Sequence, residues 1–537
     1  MTSFRKRRIR PQIVDRIRRM RAARAAAAAL TPLEHAKTPT HTTGHVAASI
    51  YEISAHGLTP LRRNTHWWLR AVFMLFLVCA WIICCVHIVK IVAHYLNYDI
   101  NVNVRHISDS PFDFPAVTVC NLNPVRRSKL QARYPTLAAD LEALTASIVR
   151  KRREESDGDD QFAGFASREQ LQKHLRFELY RRQARFSDLG HQIEDMLVQC
   201  TYQGKHCHVS NFTRWPQGRY GNCFTIVADA GARATFVGPS FGLSLVLNTM
   251  SDEYLAQQPS KGHRIDVHDR RYQPMPTENG FFISPGYRAV GAVALRRFAR
   301  INYGRSVCAD SADGLRLQLA STLKHVVNYT QLACVTSCFE QQMLAQCACV
   351  DAEMMPAEYF LSPLSPQNVS DNESGVEGRI GRSEHIPMAC YYRNTTQMQC
   401  KREVLLAMEA QAVCSSDVCP ESCWHSSYDV SVTQSLWPRE EYLTTKLEMW
   451  KVRQPRLANY TLPIARQELA ALDVYFSNTY YELVEEKPAM DAWELLAQIG
   501  GTMGLYAGMS FLTVVEVADW LVQKINCKAN GQSTASP

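Results

Sequence analysis

The stretch from Trp493 to Trp520, WELLAQIGGTMGLYAGMSFLTVVEVADW, constrains the chain more than any other. From Leu495 to Val515 it carries no charged residue, and at about 1.5 Å of rise per residue such a helix crosses the hydrocarbon of a bilayer. An ordinary anchor is filled with Leu and Val, whereas here Ala497, Gly501, Gly504 and Gly508 recur at intervals of four, three and four. One helical face is therefore without bulk, and something must approach it closely.

Two readings fit that stripe. Small-xxx-small packing of helix against helix is its commoner cause in membrane proteins. The alternative is a pore wall, in which Gly508-Met509-Ser510 presents backbone carbonyls and a hydroxyl to an ion. Glu516 and Asp519, about one turn apart at the inner end, would then form acidic rings that attract cations. Packing alone leaves those acids unexplained.

The run IGGTMGLYAGMSFLTVVEVADW resembles the second transmembrane segment of the degenerin and epithelial sodium channel superfamily, which includes acid-sensing and peptide-gated channels. The resemblance implies that Gly508, Met509 and Ser510 form the selectivity filter. It also puts Ala497 at the small-residue position just outside the filter and Gly504 at the position tied to amiloride-type block. The middle filter residue is more often Ala or Ser in the family, so Met509 is a departure.

The net charge of +8 belongs to one tail. Residues 1–70 carry 14 Lys and Arg against three acids, Asp15, Glu34 and Glu52, while residues 91–493 carry 42 basic and 45 acidic side chains. A transit peptide, a nucleic-acid arm and a cytosolic flank all begin in this way. The flank is favoured, because Ala22–Leu30 is interrupted by Arg24 and is too weakly apolar for a signal core. It would touch anionic lipid headgroups rather than nucleic acid. His56-Gly57, just before the first apolar segment, matches the family's cytosolic gating motif.

Trp67 and Trp68 sit where an aromatic belt belongs, and Ala71 to Val89 is free of Lys, Arg, Asp and Glu. The order is a cytosolic tail over 1–70, a first span over 71–90, an ectodomain over 91–492, a second span over 493–522 and a cytosolic tail over 523–537. Two features place 91–492 outside. All six Asn-x-Ser/Thr sequons, at Asn211, Asn328, Asn368, Asn372, Asn394 and Asn459, fall there, and so do 14 of the 18 cysteines. Cys79, Cys84, Cys85 and Cys527 lie in or beyond the spans, and only its location favours palmitoylation of Cys527.

Cys347-Ala-Cys349 and the trio Cys414, Cys419 and Cys423 could be read as zinc ligands, but an oxidising compartment favours disulfides, and no metal is expected. Pairing does not follow from the sequence. The family pattern implies Cys120 with Cys223, Cys200 with Cys207, Cys308 with Cys423, Cys334 with Cys419, Cys338 with Cys414, Cys347 with Cys400 and Cys349 with Cys390. Further landmarks follow in order: FPAVTVCN from Phe114, YGNCFT from Tyr220, GLSLVL from Gly242, GFFISPG from Gly280 and Trp437-Pro438. Residues 128–198 read as polar helices interrupted by the acidic loop Glu154 to Asp160, and Ser362 to Ser383 as a glycosylated loop.

The expected fold is an α+β membrane protein, with two transmembrane helices flanking a large disulfide-rich ectodomain of central β core and peripheral helices. No Walker A loop, Gly-x-Ser-x-Gly elbow, His-Glu-x-x-His or dinucleotide fingerprint is present, so no enzyme reading survives. A pore-less disulfide-rich receptor is the alternative class, and the glycine stripe above acids speaks against it.

The resemblance implies a plasma-membrane, amiloride-sensitive Na⁺ channel of three identical or homologous subunits, with both termini cytosolic and no cofactor beyond the permeant ion. Tyr95, Tyr98 and Tyr303 are candidates for coupling ectodomain to pore, although aromatics also sit at membrane interfaces for their own sake. For the stimulus, Asp99 stands in the segment where acid-sensing relatives carry a histidine, which favours an extracellular ligand such as a peptide over protons. His94 and His106 nearby keep proton gating open, and mechanical gating is the third alternative. Gln498 replaces an outer-mouth Asp of the acid-sensing relatives, weakening attraction for divalent cations.

Overall fold

The computed structural model describes residues 66–108, 112–154, 163–227, 233–234, 236–304, 306–309, 329–357 and 386–510, and then 512–513, 515–516, 518–519 and 522. The described residues up to Ile91 and from Leu496 onward form one compact unit, and Val92–Leu495 forms another.

In chain order the main elements are α1 (Trp67–Leu96), β1 (Ile100–Ile107), β2 (Ala116–Asn121), α2 (Arg127–Arg133), α3 (Pro135–Glu154) and α4 (Ala163–Arg181). Then come β3 (Leu197–Tyr202), β4 (Phe212–Gln217), β5 (Gly221–Ile226), β6 (Leu243–Asn248), β7 (His263–His268), β8 (Phe281–Ile283) and β9 (Tyr287–Ala299). The chain continues through α5 (Gln331–Cys347), α6 (Thr395–Glu409), β10 (Trp424–Leu436), α7 (Glu440–Arg453), α8 (Leu462–Glu468), β11 (Leu469–Phe476) and β12 (Tyr481–Pro488), ending in α9 (Ala492–Ala507).

The ectodomain core is a pair of sheets. β9 is the hub of the larger one: Ala289, Gly291, Val293 and Leu295 alternate inward with the period of two that a half-buried strand requires. β10 runs antiparallel along its whole length, while β11 pairs parallel with its first half and β12 with its second. β11, LAALDVYF, is apolar nearly throughout because neighbours cover both of its faces. Its one acid, Asp473, is buried and meets Arg288 Nε at 2.5 Å.

The smaller sheet has the order β8–β7–β2–β5–β4. Val117, Val119, Phe224 and Ile265 from it interdigitate with Leu245, Leu247, Leu472 and Val474 from the larger sheet. Cys120 faces Cys223 across β2 and β5, and two pairs further along Thr118 and Thr225 share a 2.6 Å hydroxyl hydrogen bond.

Helices cover this core. Leu130, Leu137, Leu141, Leu171 and Leu175 of α2, α3 and α4 make a separate apolar cluster, which is why this polar region still folds as helices. On the larger sheet, α7 lays Leu443, Leu447 and a fully buried Trp450 against Val246 and Leu469. Trp450 Nε1 donates to Gln199 Oε1 at 3.1 Å. The Trp437–Pro438 peptide before α7 is cis.

Seven disulfides join the fourteen ectodomain cysteines: Cys120–Cys223, Cys200–Cys207, Cys308–Cys423, Cys334–Cys419, Cys338–Cys414, Cys347–Cys400 and Cys349–Cys390. The last five nest, so α5 and α6 lie side by side and antiparallel. Both helices start on a side-chain cap, Thr330 Oγ1 accepting from Ala333 N and Asn394 Oδ1 from Gln397 N.

α1 is longer than the span of 71–90 read from the sequence, because the helix continues past Lys90 to Leu96. It is the one described helix long and apolar enough to cross a membrane, with only Cys84 buried along its length.

Candidate functional site

α9 does not continue through the whole glycine stripe as a single helix. It stops at Ala507, and Gly508, Met509 and Ser510 are non-helical. The cause is Gly508, which takes a left-handed φ of 61°. A residue with a Cβ is strained there, so glycine at this position ends the helix in addition to thinning its face. Gly508 N–H donates to Gly504 O at 3.1 Å and Met509 N–H to Met503 O at 3.3 Å. Beyond the break, Ser510 starts a new turn: Thr513 N–H donates to Ser510 O at 3.0 Å, and Ser510 N–H to Thr513 Oγ1 at 3.2 Å. An interruption of this kind releases carbonyls of the last turn from the helical ladder and leaves them as oxygen donors for an ion.

The two helices of this unit meet on the side of α9 away from the stripe. Cys84 Sγ lies 4.0 Å from Thr502 O, and His87 and Tyr506 pack edge to face at 5.6 Å. A Cβ added at Gly500 or Gly501 meets nothing within 4 Å, and one at Gly504 meets only Met509 O at 3.8 Å. Ala497 is exposed on the same helix. The face without bulk is thus left open among the described residues. Glu516 and Asp519, beyond the break, are exposed as well.

Where the chain enters and leaves the Val92–Leu495 unit, β1 and β12 pair from Ile100 opposite Pro488 to Ile107 opposite Tyr481. Ala489 N–H donates to Asp99 O at 2.8 Å, tying the residues that follow α1 to those that precede α9. Tyr303 sits at this tie. Its ring meets Tyr98 edge to face at 5.3 Å, and its hydroxyl donates to Met490 O at 3.4 Å. Tyr95 is half-buried one turn before Tyr98, on α1. Gly304, a residue the sequence did not single out, closes the contact: its φ is 60°, and a Cβ there would lie 2.3 Å from Tyr98 Cβ. The only local signal was a glycine directly after the candidate tyrosine.

Charges cluster at the same end. Arg105 pairs with Glu485 at 2.6 Å, Arg296 with Glu482 at 3.0 Å, and Ile301 N–H donates to Glu486 at 3.2 Å. His94 Nδ1 lies 3.1 Å from Asp99 Oδ2, with both side chains half exposed. His106 packs on Tyr480 at 4.9 Å. Deeper histidines are silent near neutrality, since burial pushes His191 down to about 3 and His263 down to about 4.

Of the sequons, Asn211 and Asn394 use their Oδ1 atoms locally, accepting from His208 N and Gln397 N, and Asn459 is exposed. His56 and Gly57, the sequons at Asn328, Asn368 and Asn372, Cys527 and the acidic run from residue 155 lie outside the described residues. Among the described residues, no cluster of three or more His, Cys, Asp or Glu gathers as a metal site.

A family model described as amiloride-sensitive sodium channel matches residues 50–520. The FMRFamide-activated amiloride-sensitive sodium channel of Cornu aspersum is 22% identical, over 88% of this chain and 82% of its own length. Epithelial sodium channel subunit alpha of Neoceratodus forsteri is 28% identical over 61% of this chain and 45% of its own length. Acid-sensing ion channel 2 of Homo sapiens is 24% identical over 81% and 78%. With the family model covering most of its length, the chain belongs to the amiloride-sensitive sodium channel family of the degenerin and epithelial sodium channel superfamily, and so to ion channels rather than enzymes.

Proposed function

We propose that three copies of this chain, or this chain with homologous subunits, surround one Na⁺-conducting and amiloride-sensitive pore in the plasma membrane. Each contributes α1 as a first span and α9 with its continuation as a second, and both termini are cytosolic. The observation that carries this reading is the interruption of α9 at Gly508 beside a glycine face that nothing among the described residues covers. Gly508, Met509 and Ser510 line the narrowest point, Ala497, Gly501 and Gly504 the wall above it, and Glu516 and Asp519 the inner mouth. Na⁺ is the permeant ion, and no cofactor is needed.

An extracellular ligand, a peptide in this reading, opens the pore. A ligand does so only by binding the open ectodomain more tightly than the closed one. One relative matched over most of both chains, that of Cornu aspersum, is named for activation by FMRFamide. The disulfide-stapled α5 and α6 supply stiffness, and Tyr98 and Tyr303 carry motion to the two spans. Proton gating is a second reading favoured by one contact, His94 against Asp99 at the exposed end of α1.

The test is two-electrode voltage clamp on cells expressing the full chain, with external Na⁺, K⁺ or N-methyl-glucamine, with and without amiloride, at neutral and acid pH and with FMRFamide applied. A peptide-evoked, amiloride-blocked current that vanishes in N-methyl-glucamine is the expected result. A current evoked by acid alone would replace the ligand reading with the proton reading. Silence with surface-labelled chain, even after Ala497→Trp, would overturn the self-sufficient pore.

A further inference from the structure

Within the ectodomain unit, a cavity of about 670 Å³ opens between β7, the segment that follows it, β10 and the start of α5. A space of that size holds a drug-sized organic molecule. Its charged lining is almost entirely self-satisfied. Asp269 takes Arg271 through two bonds, 3.0 Å to Nε and 2.8 Å to Nη2; Asp429 meets Arg296 at 3.0 Å, and Glu421 pairs with Arg300.

Asp266 is the exception. It is 1% exposed and lines the cavity; Oδ2 accepts from Met275 N at 2.8 Å, but Oδ1 has no hydrogen-bond partner. The charged groups around it are committed elsewhere. Arg264 on β7 donates to Pro276 O and Thr277 O, and its guanidinium lies over the Phe282 ring. His268 holds Thr118 Oγ1 at 2.9 Å through Nε2 and Asp269 O at 2.9 Å through Nδ1. Glu278, on the turn after β7, adds a like charge rather than a counter-charge.

A buried carboxylate oxygen left in this way costs about 1–3 kcal/mol. Burial also pushes the Asp266 carboxyl above the usual range, the direction expected of an acid lacking its cation. Part of the wall is aromatic: Tyr272 stacks on His425 at 5.6 Å, and Tyr428 and Phe281 line the same space, among short polar and aliphatic side chains. Aromatic faces and one unpaired carboxylate are the complement of a flat cation that donates hydrogen bonds in its own plane.

We propose that this cavity binds an organic cation, an amidinium or guanidinium on a flat body, with Asp266 as its counter-charge and Tyr272, Tyr428 and Phe281 as its walls. The site is separate from the pore reading, because occupancy is read by binding with no current required.

The test is isothermal titration of the purified full chain in detergent with benzamidine and with benzamide, its neutral isostere. Benzamidine should bind saturably and at least tenfold more tightly than benzamide. Asp266→Asn keeps an acceptor for Met275 N and should abolish that preference, whereas Asp429→Asn, on the same wall but paired with Arg296, should leave it intact. Ser427→Trp fills the cavity from β10 and should weaken benzamidine at least tenfold, so a folding failure in one variant does not decide the matter. Equal affinity for the two probes, absence of saturable benzamidine binding, undiminished preference in Asp266→Asn, or undiminished benzamidine affinity in Ser427→Trp would overturn the proposal.

Discussion

Glu340 offers the sharpest test of the electrostatics. It sits on α5, 0% exposed, between the Cys338 and Cys347 disulfides. Oε2 accepts from Asp351 N at 3.0 Å and Oε1 has no partner; the nearest cation, Lys401, is taken by Asp351 at 2.5 Å. Burial, with Asp351 adding to it, pushes the Glu340 carboxyl up from 4.5 to about 8. The folded protein therefore keeps a proton that the unfolded chain releases above pH 4.5. Stability falls as pH rises from 4.5 to about 8 and then levels, since above that both states are ionised. At about 1.4 kcal/mol per pH unit, the penalty relative to a neutral side chain is roughly 4 kcal/mol at pH 7.4 and about 1 kcal/mol at pH 5.

Glu340→Gln keeps the acceptor for Asp351 N and removes the titration. Its stabilising effect should be about 3 kcal/mol larger at pH 7.4 than at pH 5, which is a melting-temperature difference of several degrees. Thermal melts of the full chain at those two pH values measure it. An equal shift at both, or a loss at pH 7.4, would refute the reasoning, because either would mean that the folded protein holds the carboxylate ionised without difficulty.

Two further predictions concern coupling and the lever. Gly304→Ala forces a Cβ into Tyr98 at a left-handed φ, breaking an aromatic contact worth about 0.5–1.5 kcal/mol. Stimulus-evoked current should drop up to about tenfold at unchanged surface labelling, and an unaltered response would remove Tyr98–Tyr303 from the coupling path. Replacing both Cys347 and Cys400 with Ser opens a loop of sequence separation 53, which the loop-entropy account values at about 4 kcal/mol. A melting temperature unchanged from the parent would show that α5 and α6 are held by packing alone.

What the sequence made legible is what local periodicity and composition encode. The charge-free run from Ala71 to Val89 could only be a long apolar helix, and β2 and β6 announced themselves as apolar strands bracketed by polar or turn residues. The pairing of β9 with β10 on one edge and with two parallel strands on the other joins segments more than a hundred residues apart, and no local pattern carries that information.

The helix break at Gly508 was hidden for a related reason. Glycines spaced by four, three and four describe a face whether or not one of them adopts a positive φ, and φ is set by what the following residues can bond to, here Ser510 with Thr513. Asp266 and Glu340 were hidden most completely. IDVH on β7 and CFEQ on α5 read as the polar positions of ordinary elements, and each acid becomes unusual only when other segments close over it. The structure places both where an uncompensated charge is costly, one against an open cavity and one inside the stapled lever. That difference in surroundings predicts opposite chemistry from the same functional group. Asp266 can recruit a cation from solution, whereas Glu340, sealed beneath Asp351 and Lys401, can only take up a proton.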